Sequence, residues 1–545
     1  MFHVRTGRVN YISLGWLVGL AALVLAPFLA KPLHMDAPLM VWAARQIRQD
    51  PFHFYSVAVN WFGTVEGLDR ILRMPPLFAA VLSPLAYHEA LLSFIPLAFA
   101  LTAVAGIFVL ARLWGADPLW SCLAAIATPA FVVCGSLVMP DMALLSFWVW
   151  ALVFQVKGHE RPAWWAAATL FATAAVLTKY SGLTLLPLMA LYSFAKDRRF
   201  SIGLLSLVFP LIAFAVYQQY TGSLYGEGLF SESARYAFGY QPHTLGWALR
   251  KSLTALSFAG GGFAVGVFFF PFLWPAKQRT SWLIGAAVVA VLALTTGPFE
   301  SFSFNARTGV RWAILIQFVV WTMGGIQWAA LAISEWRRRR DPASLVAVAW
   351  LGGTLAFAAY FNWSVTVRSL LPALPAIAIV LSWRMQSVGV PFRQRTGAIA
   401  VSSILALAAG WADARLAFAA MDTARQTVSL KETAENIWFQ GHWGFQYYLE
   451  KIGAKAVDYE RSVISPADRL LIPLNNIRVQ FPPRDSVDLL GTLSVPGPWG
   501  LTVHHGELGA GFHSDYWGPL PLAFGPVPPE KTLLWRPRST LKYPS

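Results

Sequence analysis

The chain is predicted to be an α-helical polytopic membrane protein that ends in a small α/β domain outside the bilayer. Three observations predict this. Of 545 residues, 56% are hydrophobic and only 13% are charged, roughly half the charge of an average soluble protein. The apolar residues gather in runs near bilayer length, and 25 Trp, 38 Phe and 16 Tyr suit aromatic belts at two membrane interfaces. After residue 420 the runs stop, and the chain becomes polar and Pro-rich.

About thirteen spans are predicted along the chain: 11–30, 90–113, 118–138, 141–157, 163–179, 182–195, 201–220, 251–274, 281–297, 311–333, 343–361, 369–384 and 397–417. The first is expected to be retained, because a secretory signal has a shorter apolar core. The segment 75–88 carries Pro75, Pro76 and Pro84 and is too short to cross. It is expected to lie against the membrane surface.

Basic residues set the orientation. Arg112, Lys157 with Arg161, Lys196 with Arg198 and Arg199, Lys277 with Arg279, Arg337 to Arg340, and Arg384 with Arg393 and Arg395 fall on one side of the predicted spans. Arg5 and Arg8 share it. The positive-inside rule then makes that side cytoplasmic and puts the tail outside. The net charge of +15 is read as topology, not as a nucleic-acid footprint. The resulting domains are a transmembrane unit over 1–419, with its first outside loop at 31–89, and an outside α/β domain over 420–545. Within the latter, 436–439, 444–452, 454–459 and 469–473 read as strand, helix, strand and strand. Cys122 and Cys134 share one predicted span, about 18 Å apart along a straight helix. They cannot pair and make no metal cluster.

A few polar residues could carry chemistry. Asp36 opens the first outside loop, ahead of Ala37, Pro38 and an amphipathic stretch 39–49. It suits a helix N-cap, and equally a general base at a partly desolvated interface. Asp141 follows Met139 and Pro140 where a span begins, as a cap or as a functional carboxylate. Arg45, Arg48, Arg70 and Arg73 stand in an outside loop where basic residues should be scarce. Guanidinium groups at that depth suit a lipid phosphate, although pairing with Asp50, Glu66 and Asp69 is the plainer use. Lys179, Tyr180 and Arg368 lie at outer span ends. They serve as interface anchors or complete a pocket with Asp36 and Arg73. Gly260, Gly261 and Gly262 read as a close-packing point; His442, His504 and His505 read as surface residues. The sequence has no P-loop, no dinucleotide fingerprint, no HExxH and no Asp-x-Asp pair for a metal-held nucleotide sugar. No cofactor is therefore certain; a divalent metal is possible but has no ligand cluster in the sequence.

The order of these features resembles a known group. An early loop Asp is followed by Pro75-Pro76-Leu77, by Pro140-Asp141, by Leu177-Thr178-Lys179-Tyr180-Ser181-Gly182, and by Arg368-Ser369-Leu370-Leu371-Pro372-Ala373-Leu374-Pro375. Over about 11–420 this looks like the polytopic GT-C glycosyltransferases. It is most similar to the family 39-like group of dolichyl-phosphate-mannose–protein mannosyltransferases and their bacterial relatives, among them the lipid A aminoarabinose transferase. Gly441-His442-Trp443-Gly444-Phe445-Gln446-Tyr447-Tyr448 is similar to the C-terminal domain of bacterial members. The resemblance implies an enzyme of the bacterial inner membrane that transfers a sugar, with inversion, from a polyprenyl-phosphate donor on the periplasmic face. The acceptor would be a lipid, a glycan or a protein, with membrane lipids as further partners and no nucleic acid. Asp36 and Asp141 match the group's two outer Asp positions and imply base and orienting roles. Lys179 and Arg368 match its basic positions, and with Arg73, Tyr180 and Arg45 they would bind the substrate. Two positions depart: Ala37 stands where many members have Glu, and Met74 where many have His or Lys.

The rival readings are a transporter or flippase of lipid-linked sugars and a non-catalytic binder. The first calls for charged groups near the midplane, of which the predicted spans are almost free. The second would leave sugar transfer indifferent to loss of Asp36.

Overall fold

The computed structural model describes residues 11–198, 202–239, 241–242 and 244–543. Arg5, Arg8 and Arg199, used above for orientation, lie outside them. Among the described residues, seven helices are long and apolar enough to cross a membrane, and nine if two bent pairs are each one span. Ser13–Phe28 and Trp164–Thr178 are shorter apolar helices. The protein is thus a polytopic, mostly helical membrane protein with a sheet near its C-terminus.

Thirteen full-length spans are not found among the described residues: predicted spans 11–30 and 163–179 are helices shorter than a span, and two others are bent. Pro118–Ile126 and Pro129–Gly135 meet at 66°. Pro129 disfavours helix in the residue before it, and Thr128 caps the second arm by accepting from the Phe131 amide at 3.2 Å. Cys122 and Cys134 sit on the two arms, both buried thiols, so the straight-helix separation does not apply. Leu245–Gly262 and Val265–Leu273 meet at 87°. Gly260 comes so near the helix Trp312–Arg339 that a Cβ would fall 1.7 Å from the Trp321 carbonyl oxygen. That glycine run is a packing point.

The tail carries a five-stranded mixed sheet in the order Lys455–Ala456, Ile437–Phe439, Arg469–Pro473, Glu530–Pro537, Val487–Val495. The first three strands are parallel and the last two antiparallel. The helix Trp443–Lys451 connects the first two in chain order. The sequence pattern foreshadows this helix and three of the strands. It misses the longer antiparallel pair.

Helix Trp443–Lys451 docks on the first loop. The Leu33 amide donates to the Tyr448 hydroxyl at 2.8 Å, and Lys451 donates to Glu89 at 2.7 Å. Asn60 donates to the Val457 carbonyl at 2.9 Å. At Gly444 the two backbones nearly touch, since a Cβ there would lie 2.2 Å from the Leu33 carbonyl oxygen. This docking corrects one expectation: His442 and His504 are not surface residues but only 2% and 3% exposed. His442 stacks on Trp61 of the first loop at 5.3 Å, and His504 packs on Trp517 at 4.3 Å.

Candidate active site

Where the first loop, the span ends and the tail meet, they enclose a cavity of about 590 Å³, a size that suits a small-molecule or cofactor site. Asp36, Arg73 and Arg368 all line it.

Asp36 occupies the N-cap position of the helix Ala37–Gln49, yet its carboxylate makes no capping hydrogen bond. Instead Oδ2 accepts from Arg368 Nη2 at 3.2 Å. Arg368 is placed by local rules. Thr366 and Ser369 form a reciprocal capping box around the short helix Val367–Leu370, and the Val367 amide donates to the Phe512 carbonyl of the tail at 3.0 Å. The Arg368 side chain is mostly buried, with its Nε unpartnered among the described residues. Both Asp36 and Asp141 act electrostatically on it.

Asp141 is the first residue of the helix Asp141–Gly158 and makes no cap bond. It is 1% exposed and accepts from Lys179 Nζ at 2.9 Å through Oδ1, while Oδ2 is unpartnered among the described residues. This pair stands outside the lining of the cavity. Tyr180 meets the Tyr217 hydroxyl at 3.2 Å. Tyr217 and Tyr55 both donate to the Met74 carbonyl, at 3.3 and 2.9 Å. That fixes the corner carrying Arg73, whose Nε donates to Glu232 at 2.8 Å and whose guanidinium stacks on Tyr236 at 4.5 Å. Arg45 lies elsewhere. It donates to the Ala86 carbonyl at 3.2 Å and the Tyr447 hydroxyl at 3.1 Å, tying the loop to the tail.

Backbone strain marks the same cavity. Among the described residues, six that are not glycine have positive φ: Met35, Arg198, Glu300, Arg340, Trp443 and Arg478. Arg198 and Arg340 are ordinary left-handed helix C-caps. The other four all line the cavity, and non-glycine residues held in this region cluster at functional sites. Nothing in the sequence signals these conformations.

Two buried ionic groups were also invisible in the sequence. Lys251 bridges Asp515 at 2.6 Å and Glu300 at 2.8 Å on the cavity wall. Ser364 donates to the other oxygen of Asp515 at 2.8 Å. Burial pushes the Asp515 carboxyl above its ordinary range.

The second group centres on Asp413, in the last membrane helix. Lys31 and His513 both contact its carboxylate, His513 at 2.8 Å. His34 approaches at 3.6 Å. Burial holds the His34 imidazole down to about 3 and lowers His513 as well. Among the described residues, only the ligand atoms of His34, Asp413 and His513 cluster closely enough to hold a metal, all within 4.8 Å of one another. Two imidazoles and a carboxylate would suit a borderline divalent ion. However, the Lys31 ammonium already balances the carboxylate. No sequence spacing could have revealed this group, because its members come from the first loop, the last span and the tail.

Residues 74–218 match the family model of the dolichyl-phosphate-mannose-protein mannosyltransferases. The match includes Asp141, Lys179 and Tyr180 and bears out the resemblance read from the motifs. No curated protein matches the chain in sequence. Among solved structures, an Archaeoglobus fulgidus oligosaccharyltransferase tethered with an acceptor peptide aligns over 82% of this chain and 64% of its own, at 13% identity and TM-score 0.45. The chain therefore spans somewhat under two thirds of that protein. ArnT from Cupriavidus metallidurans bound to undecaprenyl phosphate aligns over 86% of this chain and 94% of its own, at 15% identity and TM-score 0.39. The Archaeoglobus fulgidus AglB in complex with an inhibitory peptide and a dolichol-phosphate aligns over 83% and 65%, at 11% identity and TM-score 0.46.

Proposed function

We propose that the protein is an inverting glycosyltransferase that moves a sugar from a polyprenyl-phosphate donor to an acceptor hydroxyl or amine in the cavity around Asp36. The observation that carries this reading is the Asp36–Arg368 pair on the wall of a strained cavity that Arg73 also lines. A base and phosphate-binding guanidinium groups are the two things such a transfer needs in one place.

Arg368 engages Oδ2 of Asp36, and Oδ1 has no hydrogen bond among the described residues. Oδ1 takes the acceptor proton. The acceptor atom forms its bond to the anomeric carbon from the face opposite the phosphate. The bond between that carbon and the phosphate oxygen breaks, and the electron pair leaves on the polyprenyl phosphate. Arg368 and Arg73 stabilise the departing charge, and Arg73, with Tyr236 behind it, takes the position a basic residue would have at Met74. Asp141 and Lys179 act as a buried positioning pair that biases Arg368. Tyr180 holds the Met74 corner, and Arg45 anchors the tail. We place the cavity and the tail domain, 420–545, on the periplasmic face of a bacterial inner membrane, with the N-terminus in the cytoplasm.

The test uses purified full-length protein, radiolabelled polyprenyl-phosphate sugars and a crude envelope acceptor, comparing wild type with Asp36→Asn. Loss of transfer by about 10²-fold or more, with donor binding kept, supports the reading. Equal transfer by both proteins removes Asp36 from the chemistry. Donor binding without transfer by wild type, across several sugars, favours a carrier or flippase.

A further inference from the structure

The cavity around Asp36 is lined by two chemically different kinds of side chain. Arg73, Arg368 and Arg478 supply positive charge. The remaining lining, a second region by its chemistry, includes aromatic rings and carboxylates: Trp247, Trp363, Trp443 and Trp517 with Glu300 and Asp515. We infer that this second region binds a carbohydrate, so that the acceptor of the transfer proposed above is a hydroxyl on a sugar ring of an uncharged glycan. The inference rests on that proposed reading for the word acceptor, though not for the binding site itself.

Three features point to a sugar. The first is the pairing of ring faces with short polar side chains. A pyranose offers an apolar C–H face and a rim of hydroxyls; aromatic faces cover the former, and Ser514 and the Glu300 carboxylate can meet the latter. The rings are built into the protein. Trp443 and Trp517 lie 6.1 Å apart at 57°, with His504 packed against both. Trp363 lies 6.3 Å from Tyr236, the ring that also carries Arg73. The aromatic region thus joins the guanidinium region directly, as an acceptor beside a donor phosphate requires.

The second feature is charge. Lys251 is matched by two carboxylates, Asp515 and Glu300, and the Asp515 oxygens are already engaged by Lys251 and Ser364. Arg250, which lines the adjoining pocket with Trp247, Glu300 and Asp515, donates to the Thr296 carbonyl, so the phosphate belongs at Arg73, Arg368 and Arg478 and the acceptor end favours a neutral polyhydroxyl. The third is the kind of wall. An extended peptide is held chiefly by main-chain bonds to a sheet edge. Here the lining side chains come from helices and loops, apart from His504 in a two-residue strand already paired with Gly511. Trp363 is 46% exposed and the Glu300 backbone stands in a left-handed conformation, so the lining has both an open ring and a strained backbone position.

The experiment uses full-length protein in detergent. Binding of chitotriose, maltotriose and a Ser/Thr-rich peptide is followed by saturation-transfer difference NMR and tryptophan fluorescence. Release of sugar from a labelled polyprenyl-phosphate donor to water is measured separately. Expected are saturable binding of at least one oligosaccharide, competition by it with the envelope acceptor, and affinity about ten-fold weaker in Trp363→Ala and retained in Trp363→Phe. Because Trp363 is half-exposed, the alanine variant should fold; its thermal unfolding is the control. Binding of the peptide but of neither oligosaccharide, or unaltered saccharide affinity in Trp363→Ala, overturns the inference. If peptide is the acceptor while donor turnover persists, the transfer reading stands and the carbohydrate inference falls. If oligosaccharide binds but no donor turns over, the site stands and the transfer reading falls.

Discussion

Gly444→Ala probes the coupling between tail and base most sharply, because two effects of one methyl group oppose each other. Gly444 lies in the first turn of the helix Trp443–Lys451, where alanine is favoured by up to about 1 kcal/mol on propensity alone. Yet the added Cβ would sit 2.2 Å from the Leu33 carbonyl oxygen. Ordinary contact needs about 1 Å more, and both partners are backbone, so neither can rotate away. The segment Leu33–Asp36 must move or the helix must lift. Overpacking of this kind costs about 1–3 kcal/mol, and a 1 Å displacement of a reacting group costs about 10²-fold in rate. The expected outcome is a kcat for sugar transfer lower by about 10²-fold, donor KM little changed, and a small drop in the unfolding temperature. Gly444→Ser should behave alike. Wild-type kcat in Gly444→Ala, or a raised unfolding temperature, would refute the idea that the tail positions Asp36.

Four further outcomes are expected. Asp413→Asn leaves the ammonium of Lys31 buried and unbalanced; the side chains are 1% and 0% exposed, so a loss of about 3–5 kcal/mol is expected. Heat-inactivation rates in detergent check it, and Lys31→Met with Asp413→Leu should recover most of the loss. Arg368→Lys keeps the charge but loses the planar fork, and kcat should fall by about 10²-fold in the transfer assay. Burial raises Glu530 to about 7. Its stabilising share is therefore complete below its ordinary carboxylate range and lost as pH rises through about 7, so the wild type should unfold at a lower temperature at pH 8.5 than at pH 6.5, and Glu530→Gln should flatten that trend. Burial holds His442 down to about 3, which has the opposite sign: stability should fall as pH drops below the ordinary histidine value, and less so in His442→Gln.

How much of this was legible in the sequence depended on the range of the interaction involved. Membrane character, the helix Ala37–Gln49 and the tail helix Trp443–Lys451 follow from composition and short-range periodicity, and all are present. The bend before Pro129 was written in a local residue but was overridden by counting apolar length alone. Strands Val487–Val495 and Glu530–Pro537 escaped notice because their exposure does not alternate cleanly, and because one pairs across a bulge at Leu534/Trp535. Asp36 and Arg73 in the first outside loop and Arg368 at a span end could be singled out as ionisable groups, since such groups are costly near a bilayer. The partner of Arg73 and the two buried ionic groups could not be found that way. Glu232, Asp413 and Asp515 look like ordinary acidic residues until the fold brings an arginine or lysine to each.

The same distinction explains why Asp36 could not be separated from a helix cap by sequence alone. Position fixes it at the start of a helix with Pro next but one, where a capping carboxylate is the common outcome. Capping requires the side chain to fold back over its own first turn. Met35 enters the left-handed region just before it, and Arg368, pinned through the neighbouring Val367 amide to the tail carbonyl of Phe512, engages the carboxylate. A carboxylate that forgoes backbone amides for one guanidinium beside a cavity gives up a local stabilisation of about 1 kcal/mol. Such an arrangement is expected where the group's orientation serves a ligand. The tail therefore helps decide whether Asp36 caps a helix or faces a substrate. On this argument a change at the docking surface, far in sequence from residue 36, should alter turnover before it alters donor binding.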